Sequence, residues 1–339
     1  MKSVSTAVAA FLFAALAGWG AVAAAGYTVR LLPLPDNNTG DVSMDYIAYD
    51  AATNAVWVPG GNTGAVDVVD VASGKVRQIA GFPTSSVQFR GGTRTLGPSG
   101  VSVGDGVVYI GNRGDATVCA VDAKTLMRGT CGKLDSAPDG VAYVAPTHEV
   151  WVTTPRDNSL RILDAKTLQQ KAKMTYEGNP EGYAVDAGRG RFYTNLESKD
   201  RTLAIDLKTH KTVATWMPAC GEDGPHGISL DAASGHLYLA CSTRAEVLDV
   251  AHDGAVLSKV DTDDGVDDVH YSPYTHQLYV AAAQTGVLTI ARADAKGQLS
   301  VVTKVPTRQG ARNAVVAKNG TVYAAHSRTR LPALIVVTP

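Results

Sequence analysis

An aromatic residue followed by a small or aliphatic one recurs along the 339-residue chain, at Trp57, Tyr109, Trp151, Tyr193, Tyr238, Tyr279 and Tyr323. The intervals are 52, 42, 42, 45, 41 and 44 residues, and self-similarity at such a period marks a repeat architecture. Just upstream of most copies lies a turn rich in Gly, Asn or His, such as Gly104-Asp105-Gly106 or Ser234-Gly235-His236. About 13 residues downstream stands an acidic residue, at Asp70, Asp122, Asp164 and Asp206, opening a turn such as Asp164-Ala165-Lys166-Thr167. Asp and Thr between two alternating apolar runs are turn formers, because their side chains can hydrogen-bond nearby backbone. A third column precedes each aromatic by roughly ten residues: Pro98-Ser99-Gly100, Pro138-Asp139-Gly140, Pro180-Glu181-Gly182 and Pro225-His226-Gly227, with variants at Val266-Asp267-Asp268 and Ala311-Arg312-Asn313.

Each unit therefore holds four short strands. Four antiparallel strands repeated seven times predict an all-β, seven-bladed β-propeller. A sandwich would have to produce seven in-phase copies by chance. The last unit has room for three strands, near residues 312–317, 320–326 and 332–338, while Tyr27–Leu32 alternates like a strand before the first unit. That N-terminal strand is expected to close the final blade, leaving no open edge at the seam. The first interval carries about ten extra residues, including Arg90-Gly91-Gly92-Thr93-Arg94, read as an exposed loop on the first blade.

Residues 1–25 read as a secretory signal, with Lys2, an apolar run over 8–17 and an A-x-A site at Ala21-Val22-Ala23 or Ala23-Ala24-Ala25. No other stretch is long and apolar enough to span a bilayer. The expected product is a soluble monomer, residues 26–339, in the periplasm. A formal net charge of −1 removes the electrostatic argument for nucleic acid, which needs a basic stripe.

The pattern resembles the YVTN-repeat (YncE-like) family of exported seven-bladed propellers: Pro-x-Gly, an apolar pair, Tyr-Val or Tyr-Leu, then Asp-x-x-Thr, as in Pro225-His226-Gly227-Ile228 with Leu237-Tyr238-Leu239. The resemblance covers roughly residues 27–339. It implies the fold, and it leaves function open, because related propellers include lactonases, lyases and plain binding proteins.

Four cysteines in an exported chain invite disulfides. Cys119 and Cys131 lie six residues either side of a hairpin, and Cys220 and Cys241 fall on one rim of blade five. Of three pairings these two are favoured, with buried free thiols as the alternative. The absence of C-x-x-C-H argues against covalent c-type haem, and no nucleotide-binding motif is present.

Inner-strand residues at the channel mouth are the expected ligand contacts. Aligning the units places Asp45, Ser99, Asp139, Glu181, His226, Asp267 and Arg312 in one ring, and four of the seven are carboxylates. Crowded like charges call for a cation or a water-filled channel. A divalent metal such as calcium held by Asp139, Glu181 and Asp268 is one resolution. Blade six departs from its neighbours: Asp268 stands where other blades have Gly, and His270 where they have Ala or Ser. An Asp268–His270 pair could orient an imidazole as a base. Asn313 occupies the same column as Asp268 in blade seven, and the second-strand exits offer Arg113, Arg156, His326 and Arg328. Two functions fit. One is a binding propeller that captures a small molecule, metal or peptide at the mouth. The other is a metal-assisted hydrolase or lyase resembling lactonase propellers, with His226 or His270 moving the proton.

Overall fold

The computed structural model describes residues 22–24, 26–89, 92–326 and 332–339. Antiparallel sheets follow one another as blades, six of them with four strands in sequence order from axis to rim and the last with five, its outer two from the N-terminal part of the chain. The innermost strands, Ala48–Asp50, Pro98–Gly104, Val141–Val144, Pro180–Asp186, Ile228–Asp231, Val266–Ser272 and Ala311–Val316, define blades 1 to 7. Each touches the innermost strand of the next blade, and blade 7 touches blade 1, so the ring closes. As expected, Tyr27–Pro33 pairs antiparallel with Ala333–Thr338 and joins the two ends of the chain in blade 7. Val22–Ala24 pairs in turn with Tyr27–Val29. These three residues belong to the stretch that the sequence assigns to a leader; residues 1–21 lie outside the described residues.

The repeat columns have distinct physical jobs. Every column aromatic is at most 3% exposed and packs between its own blade and the next. Trp57 joins Val101 and Ile110 of blade 2, Tyr193 joins Ile228 and Leu239 of blade 5, and Tyr323 joins Val56 and Val58 of blade 1. Seven such clusters glue the seams, each buried aromatic contributing about 2 kcal/mol. In blades 1 to 5 room for the ring comes from the inner strand, where a small residue stands opposite it, as Ala48 against Trp57, Ser102 against Tyr109, Ala142 against Trp151 and Ser229 against Tyr238, whereas His270 faces Tyr279 and Val315 faces Tyr323. The turn before each aromatic takes a left-handed residue, which explains its Gly, Asn and His: Asn54, Gly106, His148, Gly190, Gly235, His276 and Gly320 all have positive φ. In the acidic turns the carboxylate accepts from the residue three on. Asp122 Oδ1 takes the Thr125 amide at 2.7 Å and its hydroxyl at 2.8 Å, and Asp164 and Asp206 repeat the arrangement.

Both cysteine pairings are present. Cys119 faces Cys131 across adjacent strands of blade 2, and Cys220 bonds Cys241 at the entry to blade 5. No helix among the described residues is long and apolar enough to cross a membrane. The extra residues of the first interval, read as an exposed loop, carry two paired strands, Ser85–Phe89 and Gly92–Leu96; Arg90 and Gly91 lie outside the described residues. Val87 and Arg94 reach the channel mouth.

Candidate functional site

In blades 2, 4, 6 and 7 the ring residue sits on a bulge at the start of the innermost strand. In blade 6, Val266 pairs with Ala282 and Val269 with Val280, so Asp267 and Asp268 together face Ala281. Blades 4 and 7 bulge at the same place, which carries Glu181 and Arg312. In blade 3 the Asp139 amide donates to the Thr153 carbonyl at 2.8 Å and the Thr153 amide to Gly140 at 3.0 Å, and His226, Gly227 and Ala240 repeat this in blade 5. A bulge re-aims side chains, and here it turns the x of Pro-x-Gly towards the pore. The Gly beside it is needed for close approach: a Cβ on Gly182 would lie 2.4 Å from the His226 carbonyl oxygen, and one on Gly227 2.1 Å from Asp268 Oδ1.

The crowded carboxylates are answered by arginines of the chain itself. Arg113 reaches Asp45 at 3.0 Å and also pairs with Asp139, while its Nε donates to the Pro138 carbonyl at 3.3 Å. Arg312 pairs with Asp267, its Nε at 2.8 Å from Oδ2, and lies 3.4 Å from Asp45. Asn313 donates to Asp45 at 3.3 Å. Burial alone would raise Asp45, but Arg312 and Arg113, helped by Arg94, hold its carboxyl below the usual range. The sequence called for an external cation or water, having taken the arginines as ligand contacts rather than counter-ions.

No ion pair of Glu181 is found among the described residues. Burial, with Glu197, Asp267 and Asp45 nearby, pushes it up to about 8, so it carries its proton at neutral pH. The Tyr46 hydroxyl lies 3.5 Å from its Oε1. His226 is steered by two neighbours: Nδ1 lies 2.8 Å from Glu197 and Nε2 3.3 Å from the Ser242 hydroxyl, which also contacts Asp223. Burial lowers this imidazole, but Glu197, then Asp267 and Glu181, raise it above its ordinary value overall.

Three spaces open along the axis. A mouth pocket of about 400 Å³ is lined by Arg94, Arg113 and Arg156 together with Asp139 and Glu181, and walled by Val87, Leu96 and three prolines or alanines. A second, of about 370 Å³, lies over His226, Glu197, Asp223, Asp267 and Arg312. Below them a cavity of about 120 Å³ is lined by inner-strand or entry-loop residues of five blades, among them Asp268, His270, Tyr46 and Tyr183.

Several expectations change against this geometry. Among the described residues, the group of ligand atoms lying within 4.8 Å of one another is Cys220, Cys241 and Glu246, and there the sulfurs are spent in a disulfide. Asp139, Glu181 and Asp268 form no such group: Asp139 is engaged by Arg113, and Asp268 lines the lower cavity. Asp268 and His270 share that cavity, but no hydrogen bond or ion pair between them is found among the described residues. Burial alone lowers His270 to about 4. His326 is fully buried, its Nε2 2.8 Å from the Ala333 carbonyl, and ties two strands of blade 7 together. Arg328 lies outside the described residues. Sequence reasoning also passed over residues that matter. Arg94 was visible only as part of the long first interval, and Tyr46 and Tyr183 only as neighbours of ring positions.

No protein-family profile matches the chain, and no curated protein matches it by sequence. Solved structures do. A streptogramin B lyase superimposes with a TM-score of 0.71 at 13% identity, over 92% of this chain and 97% of the other. Virginiamycin B lyase from Staphylococcus aureus gives 0.70 at 12%, over 92% and 99%. A chain of the mitotic checkpoint complex gives 0.72 at 13%, over 100% and 98%. Such distant likeness defines the class, a seven-bladed propeller, and nothing finer.

Proposed function

We propose that the chain is an exported, monomeric propeller of the YVTN-repeat kind that captures a small anion-bearing molecule at its channel mouth. Two disulfides fit the oxidising compartment that this reading requires. The observation that carries it is the 400 Å³ pocket where Arg94, Arg113 and Arg156 converge beside a glutamic acid that keeps its proton. Guanidinium forks match carboxylate and phosphate oxygens, and a neutral acid can donate to them without repulsion. The test is calorimetric titration with acetate, citrate and phosphate at fixed ionic strength. At least one should bind saturably, and Arg156→Ala should weaken it tenfold or more, since Arg156 stands outside the ion-paired ring. Absence of saturable binding by all three, or unchanged affinity in the variant, overturns the reading.

A second reading, a lyase or hydrolase, draws support from a different observation. Protonated Glu181 and the Glu197-steered His226 offer a proton donor and an acceptor in two separate pockets of the channel. The streptogramin-cleaving neighbours share the fold on which such chemistry would be mounted. If this reading holds, His226→Ala abolishes turnover of a bound substrate while its affinity stays within a few fold.

A further inference from the structure

The lower cavity belongs to neither reading. It lies on the axis below the ring, and its two tyrosines have already committed their hydroxyls: Tyr46 to Glu181 at 3.5 Å, and Tyr183 to the Val141 carbonyl. What they present to the cavity is therefore ring, with centroids 5.9 Å apart and planes tilted by 42°. Opposite ring and cavity wall stands a carboxylate that the sequence places in blade 6 alone. Asp268 Oδ1 occupies the space that a Cβ on Gly227 would fill, so the glycine of blade 5 makes its seat. His270 lines the same space, with no hydrogen-bond partner found among the described residues, and burial keeps it neutral with a free acceptor nitrogen.

We propose that this cavity is a subsite for a small organic cation, a protonated or quaternary amine, held by the Asp268 carboxylate and the tyrosine rings. An ammonium beside two aromatic rings and one carboxylate is a favourable arrangement, since the ring quadrupole attracts cations and desolvation strengthens that attraction. The volume of about 120 Å³ suits a few heavy atoms, about four waters' worth. The charges around Asp268 leave the demand open. Asp267 and Asp45 repel it, Arg312 attracts it but is shared by those same two acids, and Tyr46, Tyr183 and His270 are uncharged. With burial first and Asp267 next, the Asp268 carboxyl rises to about 7, so a proton half-occupies the place that a ligand cation would take.

The inference is independent of anion capture at the mouth, and its test separates the two. The intact protein is titrated calorimetrically at pH 7 with methylammonium and tetramethylammonium chloride, against sodium, potassium and calcium chloride at equal ionic strength. At least one organic cation should bind saturably at one site, with affinity at least tenfold above sodium or potassium. Asp268→Asn should weaken it tenfold or more and leave citrate, acetate or phosphate binding unaltered. Repeated in two buffers of different ionisation enthalpy, the wild-type protein should release a fraction of a proton at pH 7 and almost none at pH 8.5. Equal binding of an inorganic cation, no saturable binding, or undiminished affinity in Asp268→Asn overturns the proposal. If that variant fails to fold, the wild type decides alone: binding without proton release at pH 7 refutes a role for Asp268.

Discussion

Asp45 and Glu181 occupy equivalent places in their repeats and face one channel, yet their carboxyls move in opposite directions. Asp45 has Arg312, Arg113 and Asn313 around it and is held ionised. Glu181 has Glu197, Asp267 and Asp45 within reach with Arg113 opposing them, and it rises to about 8. Burial raises both, so the neighbours decide the direction. One half of the ring is thus a closed structural ion network. The other half is electrostatically unfinished, and an unfinished buried site is where a ligand has free energy to gain.

The closed half breaks most easily at Arg312. Arg312→Ala leaves half-buried Asp267 and buried Asp45 short of their cation, and with the fully buried case at about 3 kcal/mol, the partial exposure of Asp267 brings the expected loss to about 2 kcal/mol. Urea unfolding at pH 7 should show that loss; a change under 1 kcal/mol would mean that the network is not closed. The unfinished half should respond in the opposite sense. A carboxyl raised from 4.5 to about 8 keeps its proton in the folded state while the unfolded chain gives its proton up. Wild-type stability therefore falls as pH rises between about 4.5 and 8. Glu181→Gln mimics the protonated acid and removes that penalty. The variant should gain on the order of 2 kcal/mol over wild type at pH 8, discounted for partial solvation, and nothing at pH 4. Urea denaturation at the two pH values reads the difference directly.

The contrast between the two halves also shows what a sequence can carry. The aromatic column, its small cross-strand partners and the acidic turns are local and repeated, so the blades and their closure were legible residue by residue. So was the ring of Pro-x-Gly positions, since the bulge recurs with the motif. What was not legible is which long side chain lands on which acid. Arg113 comes from the exit of a second strand and reaches Asp45 and Asp139 in the blades on either side of its own, a choice made by three-dimensional reach. Convergence on one point is likewise not legible: Asp139 and Glu181 come from the ring column and Asp268 from the next, and their ligand atoms do not all lie within 4.8 Å of one another. Asp268–His270 misled differently, because alternation on one strand puts two residues in one cavity without putting them in contact.

His226 tests the boundary between the halves with the smallest expected effect. Its imidazole is raised by Glu197 first and then by the ring acids. A base whose folded pKa exceeds its unfolded value of about 6.5 stabilises fully below that pH, and the contribution fades as pH rises through the folded value. His226→Gln keeps a hydrogen-bonding group beside Glu197 and Ser242 but removes the charge. Glu197 is partly exposed, so the pair is screened, and the variant should lose less than about 1 kcal/mol at pH 5.5 and almost nothing at pH 9. Combined with Glu181→Gln, the two effects should add at pH 5.5, where Glu181 already carries its proton, and depart from additivity near pH 8, where an ionised Glu181 helps to raise His226. Strict additivity across the pH range would place His226 with the structural network rather than with the open acids, and would move the boundary of the site to Glu181 alone.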